Sequence, residues 1–167
     1  LSNGPKLKIL YREDAGGNLF NKITEYVKED LDAVGIDCVF VNTPAAGYLN
    51  VNNIREKCDV YIGRWIADTG DPDNYLQPLF TPDLSTNRSS YKNEIVSRKM
   101  ALANKIINPQ KRAEAYREIQ RIIFEDVPWI FLYHPNIAFA YHSHISGVKF
   151  NPLGLIKYED IIVDKVD

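Results

Sequence analysis

Four carboxylate or carboxamide side chains lie within seven residues of one another in the stretch RWIADTGDPDNYLQPLF, residues 64–80: Asp68, Asp71, Asp73 and Asn74. Such side chains could serve acid–base catalysis by paired carboxylates, coordination of a calcium ion, or binding of a cationic ligand group. Asp68-Thr69-Gly70 also spells the tripeptide that carries the catalytic aspartate of aspartic proteases.

The protease interpretation fits the surrounding sequence poorly. An aspartic protease needs two aspartates that share a proton, so a chain with one such tripeptide would have to dimerise. The protease motif continues with Ser or Ala, whereas Asp71 follows here. Those enzymes are also almost wholly β, while this sequence predicts two long helices. We therefore do not expect an enzyme.

A calcium loop is also a poor match. Counted from Asp71, the pattern has Tyr75 where an oxygen ligand is needed and Leu76 where glycine is needed. Asp71-Pro72-Asp73-Asn74 instead predicts a turn that caps a short helix running through Gln77, with acidic groups near its N-terminus. We therefore expect neither a metal nor a cofactor.

Asp68 differs because it lies before this cap, three residues after Trp65. A carboxylate next to an indole face can receive the ammonium group of a ligand. The alternative is an aspartate that only bonds to the backbone of the turn, and the residues alone leave both open.

The elements that must position these residues indicate an α/β fold. A strand, a helix between Asn18 and Gly35, and a second strand form a parallel crossover unit. A short helix and a third strand follow, and the aspartate stretch comes at that strand's carboxyl end, where open α/β sheets bind ligands. The predicted strands cover residues 6–11, 36–41 and 58–62, and the predicted short helix covers residues 49–56.

The two cysteines, Cys38 and Cys58, lie in the second and third predicted strands. If the first strand lies between them, these strands are about 9.5 Å apart, twice the spacing between neighbours. That exceeds the roughly 7 Å limit for a disulfide. We expect two reduced, half-buried thiols.

The second half predicts helices over 93–107 and from Pro109 onward, the latter capped by Asn108. The second helix has an apolar stripe for the core, and its charged residues are predicted to be solvated. Strands are predicted at 129–133 and 137–141. The stripe comprises Ala113, Tyr116, Ile119, Ile122 and Ile123, and the charged residues are Lys111, Arg112, Glu114, Arg117, Glu118 and Arg121.

The histidines give a weak metal signal. His142 and His144 alternate along a predicted strand, so both would point the same way, but no third ligand is evident and we expect surface histidines. His134 is expected to be structural.

Charge and hydropathy exclude some partners. The 20 basic and 22 acidic residues are not gathered into blocks, which argues against nucleic acid or an anionic membrane. No apolar run approaches the roughly 20 residues of a membrane helix. The opening LSNGPKLKIL lacks Met, so we expect segments to be missing.

A series of short motifs runs in order over about residues 6–163. Their order and spacing resemble the carboxyl-terminal lobe of the family 5 extracellular solute-binding proteins, the dipeptide, oligopeptide and nickel receptors of bacterial ABC importers. The motifs are Trp65-Ile66-Ala67-Asp68, Gly70-Asp71-Pro72-Asp73-Asn74-Tyr75-Leu76, Leu79-Phe80, Asn87, Tyr91-Lys92-Asn93, Lys111-Arg112, Tyr116, Gln120, Ile123, Asp126-Val127-Pro128-Trp129-Ile130, Leu132-Tyr133-His134-Pro135, Gly147-Val148 and Asn151-Pro152-Leu153-Gly154.

The resemblance implies one lobe of a type II clamshell with a central mixed sheet flanked by helices. Such a receptor closes on a peptide or another small solute and passes it to an ABC permease, with no chemistry and no cofactor. Residues 1–146 would be the ligand-binding lobe. Residues 147–167 would lead back toward a missing amino-terminal lobe, so Ile161 to Val163 would either fold onto this lobe or join two chains.

The resemblance also implies an extracytoplasmic location, with a membrane anchor in the full-length protein. The alternative is a ligand-sensing domain of a transcriptional or signalling regulator, which would be cytoplasmic. Nucleic acid is not an expected partner of this lobe in either case.

The resemblance further implies site residues. Asp68 would receive the ammonium group of a peptide, with Trp65 and Ile66 in the cleft wall. Arg12, at the carboxyl end of the first strand, would meet a peptide carboxylate or lie on the surface. Arg64 stands where the family has glycine, so it could fill space, favour an anionic ligand group or pair with Asp71. The tryptophan that the family has before its Gly-x-Tyr-Leu segment is absent here, where Ala45-Ala46 stand instead, and this would widen the pocket or remove a stacking face.

Overall fold

The computed structural model describes residues 6–12, 19–43, 54, 56–134, 136, 138–151 and 153–165. The chain forms two compact units. The first comprises residues 1–65 with 83–90, and the second comprises 66–82 with 91–167. Among the helices in the described part of the chain, none combines a bilayer-spanning length with an apolar sequence.

The first unit contains a parallel sheet of three strands. Strand β1 (Leu7–Tyr11) lies in the middle, between β2 (Cys38–Asn42) and β3 (Val60–Tyr61). Helix α1 (Leu19–Ala33) connects β1 to β2. The crossover unit and the central position of the first strand are therefore confirmed, as is the α/β fold class. In the described residues the sheet is parallel rather than mixed.

Helix α1 packs on this sheet through its apolar stripe. Phe20, Ile9 and Ile62 are buried together, and the stripe continues through Ile23, Val27, Leu31. The helix ends in a Schellman motif, because the Ile36 N–H donates to the Leu31 carbonyl (2.9 Å) and the Gly35 N–H to the Asp32 carbonyl (3.1 Å). Gly35 has φ +77°, so the predicted C-terminal glycine is confirmed.

Both cysteines are free thiols and partly buried, as predicted. The Cys58 thiol donates to the Ile54 carbonyl at 3.2 Å, and burial raises the pKa of that thiol. The predictions for Asn18 and Ala45-Ala46, and most of the predicted helix over 49–56, lie outside the described residues.

The second unit is built on three helices. They are α2 (Asp73–Phe80), α3 (Glu94–Ala103) and α4 (Pro109–Asp126). The Asn93 side chain caps α3, and Asn108 caps α4 with proline at the first helical position, which confirms the predicted cap of α4.

Helix α3 is shorter than predicted, because it ends at Ala103 instead of continuing to Ile107. The Lys105 and Ile106 N–H groups bond to Leu102 and Ala103 in tight turns, and Ile107 is almost fully exposed. The carboxamide of Asn104 contacts α2 and α4 side chains, which fixes the chain as it leaves the helix.

The apolar stripes of these helices form the core of the second unit. Helix α3 packs against α4, and α2 contacts α3. The buried side chains are Leu76, Leu79 and Phe80 on α2, Val96, Met100 and Ala103 on α3, and Tyr116, Ile119 and Ile123 on α4.

The predicted strands at 129–133 and 137–141 are wrong for the residues that the structure describes there. Ile130, Phe131, Leu132 and Tyr133 are all at least half exposed, so no sheet buries one face of this segment. Its first residues make aromatic contacts instead: Trp129 lies 5.1 Å from Phe80 and 6.0 Å from Phe131, measured between ring centroids. An apolar run without an adjacent strand has no ladder to join.

The C-terminal residues form a small antiparallel pair. Strand β4 (Ile145–Ser146) pairs with β5 (Ile162–Val163), and a 3-10 helix, Tyr158–Asp160, lies between them. Ile162 and Val163 thus pair within this chain. Gly147 has φ +71°, and a Cβ there would lie 2.0 Å from the Asp160 carbonyl oxygen, so glycine is required.

His142 and His144 precede β4, in a turn rather than in the predicted strand. Their rings nevertheless stack, with centroids 5.2 Å apart and planes 23° apart. The described residues contain no group of three or more His, Cys, Asp or Glu side chains placed to hold a metal ion.

Candidate functional site

The loop of Asp68, Thr69 and Gly70 is exposed and leads into α2. Asn74, in the first turn of α2, fixes the backbone of this loop. Its Oδ1 accepts the Asp68 N–H at 2.6 Å and lies 3.5 Å from the Thr69 nitrogen. The helix start therefore determines where Asp68 lies.

The Asp68 carboxylate is exposed. Within the described part of the second unit it makes no hydrogen bond or ion pair, so the backbone-bonding alternative is not observed there. Asn74 makes the bond that holds the turn. The carboxylate is thus available to a cationic group of a ligand.

Asp71 has a structural role. It accepts the Asp73 N–H at Oδ1 (2.9 Å), and the Asn74 N–H donates to its carbonyl (3.1 Å), so it starts α2 as predicted. Arg112 donates to both carboxylate oxygens, from Nη2 at 2.7 Å and from Nε at 3.0 and 3.2 Å. These bonds from Arg112 hold the pKa of Asp71 below its usual value. Asp71 therefore has a cationic partner other than the one suggested for it, Arg64.

Asp73 is the second carboxylate at this guanidinium, with Oδ2 3.9 Å from Arg112 Nη2. Desolvation and the neighbouring Asp71 raise the pKa of Asp73. Asp71 and Asp73 therefore form an ion-paired cluster with Arg112. The guanidinium occupies the position between the two carboxylates that a bound cation would need.

The sequence prediction that Arg112 is solvated is wrong, because its side chain is 15% exposed. Its guanidinium carbon lies 5.1 Å from the Tyr116 ring centroid. The signal was present in the sequence, since Arg112 precedes the buried Tyr116 by four residues and so lies on the same face of α4. Asn74 was recognised only as part of a helix start.

The other predicted site residues flank Asp68 in the sequence or follow β1. Trp65 and Arg12 are partly buried, Arg64 is exposed, and Ile66 is 65% exposed. Arg12, Arg64 and Trp65 belong to the first unit, whereas Ile66 and Asp68 belong to the second. A common role for these five residues in ligand binding therefore stays a prediction.

Comparison with known proteins identifies the family. The sequence profile of "Bacterial extracellular solute-binding proteins, family 5 Middle" matches residues 1–87, more than half of the chain. "Di/tripeptide-binding protein 2" of Pseudomonas aeruginosa is 26% identical over 152 residues, which are 89% of this chain and 28% of that protein. "Peptide transport periplasmic protein SapA" of Haemophilus influenzae is 28% identical over 145 residues, 84% of this chain and 26% of that protein.

Solved structures agree in fold. "Clavulanic acid biosynthesis oligopeptide binding protein 2" superposes with a TM-score of 0.82 at 19% identity, covering 96% of this chain and 31% of that one. The chain thus spans between a quarter and a third of the length of each of these three proteins. On the profile match, the chain belongs to the bacterial extracellular solute-binding proteins of family 5.

Proposed function

We propose that this chain is the carboxyl-terminal ligand-binding lobe of an extracytoplasmic receptor that binds peptide-like solutes for an ABC importer. Family membership supports this proposal, as do the names of the two relatives, a di/tripeptide-binding protein and a periplasmic peptide transport protein. The receptor would do no chemistry on its ligand, and it would be anchored to the membrane in the full-length protein.

The observation that carries the proposal is the state of Asp68. Its carboxylate is exposed while Asn74 holds its backbone in place. A carboxylate that is fixed but lacks a partner in the described part of its own unit suits a ligand ammonium, because charge-assisted hydrogen bonds are the strong ones. Ile66 and Trp65 would line the cleft, and Arg12 would meet the ligand carboxylate.

The receptor would work by closure. An ion pair on an open surface contributes little, whereas exclusion of water strengthens the same pair. Residues 1–146 would therefore bind the ligand together with an amino-terminal lobe, toward which 147–167 would lead, and the closed form would engage the permease. Arg64 at the cleft mouth would favour an anionic ligand group.

The alternative of a regulator is not favoured, because the relatives named above are binding and transport proteins.

The proposal is tested by Asp68→Asn in the full-length protein. Calorimetric titration with the tightest-binding member of a defined di- and tripeptide panel should show at least a tenfold loss of affinity, since the amide cannot pair the ammonium charge. The matched control is Asp30→Asn, which removes an exposed carboxylate from α1 and should leave affinity unchanged. Unchanged affinity in Asp68→Asn would refute the role assigned to Asp68.

A further inference from the structure

One guanidinium joins the start of α2 to the other two helices of the second unit. Arg112, in the first turn of α4, makes three hydrogen bonds to the Asp71 carboxylate. Its Nη1 also donates to the carbonyl of Ala103, the last residue of α3, at 2.7 Å. This side chain therefore fixes the position of Asp71 relative to two helix ends.

The bonds continue from Asp71 to Asp68. The Asp71 carboxylate accepts the Asp73 N–H, and the Asp71 carbonyl accepts the Asn74 N–H at 3.1 Å. Asn74 in turn accepts the Asp68 N–H. Hydrogen bonds thus connect Arg112 to Asp71, Asp71 to Asn74, and Asn74 to the backbone of Asp68. All four residues belong to the second unit.

Arginine suits this position better than lysine. Its planar fork bonds both carboxylate oxygens and still reaches a backbone carbonyl, whereas an ammonium is a point donor on a flexible stem. The Arg112 side chain is 15% exposed. By contrast, the ion pair of Lys99 on α3 with Glu118 on α4, at 2.8 Å, has side chains that are 34% and 60% exposed. Exposed pairs of that kind contribute little.

We propose that Arg112 is a positioning residue for ligand binding, which holds the Asp68 loop in place before the ligand arrives. This inference rests on the proposed function, because it assumes that Asp68 binds the ligand ammonium. Fixing a binding group in advance removes the ordering cost from the binding step. Arg112 acts through Asp71 and Asn74 and does not touch the ligand.

The test is a double-mutant cycle in the full-length protein, read by calorimetric titration with the tightest-binding peptide of the panel. Arg112→Lys should weaken binding about tenfold when Asp68 is present and by less than about twofold in the Asp68→Asn background, because a positioning effect requires the residue positioned. Amide exchange over 68–74 should also become faster. The matched control, Lys99→Gln, should change neither quantity.

The outcomes separate the two proposals. An equal loss in both backgrounds would make Arg112 a general stabiliser and overturn the inference, and so would no loss at all in Arg112→Lys. If Asp68→Asn alone left affinity unchanged, the role of Asp68 in the proposed function would be refuted and the inference would fail with it. Should Arg112→Lys not fold, Asp71→Asn breaks the same link from its other end and should give the same pattern.

Discussion

Three aspartates within six residues have different roles because their partners differ. Asp68 is exposed and its backbone is held by Asn74, so its carboxylate can meet a ligand. Asp71 is bound by Arg112, and Asp73 shares that arginine at a longer distance. Residue type alone therefore does not assign function here; the local donors do.

We predict that Asp71→Asn lowers the free energy of unfolding by about 1–2 kcal/mol, because it removes charge-assisted hydrogen bonds from the mostly buried guanidinium of Arg112. Asp73→Asn should change it by less than about 0.5 kcal/mol, since the pKa of Asp73 is raised and its charge is not favoured. Urea denaturation of both variants measures the difference. Equal losses would contradict the assignment.

The pH dependence gives the same prediction a second readout. A lowered pKa means that the ionised Asp71 stabilises the fold above its ordinary value of about 4, and that this contribution is lost as pH falls through the lowered pKa. The stability difference between wild type and Asp71→Asn should therefore be constant from pH 7 to about 5 and shrink below about 4. Asp73, with a raised pKa, should show no such loss on acidification.

Helices α3 and α4 both begin at asparagine caps, but the two side chains make different numbers of hydrogen bonds. The Asn108 side chain only accepts the Lys111 N–H at 3.0 Å among the bonds described. Asn93 accepts the Ile95 and Val96 N–H groups and also donates to Asp126 Oδ2 at 2.8 Å, which ties the start of α3 to the end of α4. Tyr91 and Asn93, as donors to Asp126, hold the pKa of that carboxyl low.

We therefore predict unequal effects of the same substitution at the two caps. Asn108→Asp should change the free energy of unfolding by less than about 0.5 kcal/mol, because aspartate is an equally good cap. Asn93→Asp should lower it by more than that, since it loses the donor to Asp126 and places a second carboxylate beside it. Thermal and urea unfolding of both variants decide the matter; equal effects would show that Asn93 is only a cap.

Local signals made the helices predictable. Caps at Asn108 and Gly35 and the stripe through Tyr116 depend on neighbours a few residues away, so the sequence suffices. The prediction of a strand at 129–133 was wrong, because a strand needs a neighbouring strand to pair with and the sequence of one segment cannot specify it. Arg112 was misread for a similar reason, since its partner Asp71 is 41 residues away. Asp68 was predicted as a candidate site residue, but the hydrogen bond from its backbone to Asn74 could be found only in the structure.

For the molecule as a whole, the chain covers 28% of the di/tripeptide-binding relative and 26% of the peptide transport relative. Asp68, whose carboxylate is proposed to bind the ligand ammonium, is exposed. An exposed ion pair contributes at most about 1 kcal/mol. Strong binding would therefore require the remainder of the receptor to close over the ligand and exclude water.

The most direct measurement is a calorimetric titration of the full-length protein with a peptide and with its N-acetylated form, followed by mass spectrometry of the released ligand. Our account predicts that the free-amine peptide binds at least tenfold more tightly, because only it carries the ammonium that Asp68 would pair, and that it is recovered with its mass unchanged. Equal affinity of the two forms, or recovery of a cleaved peptide, would contradict the account.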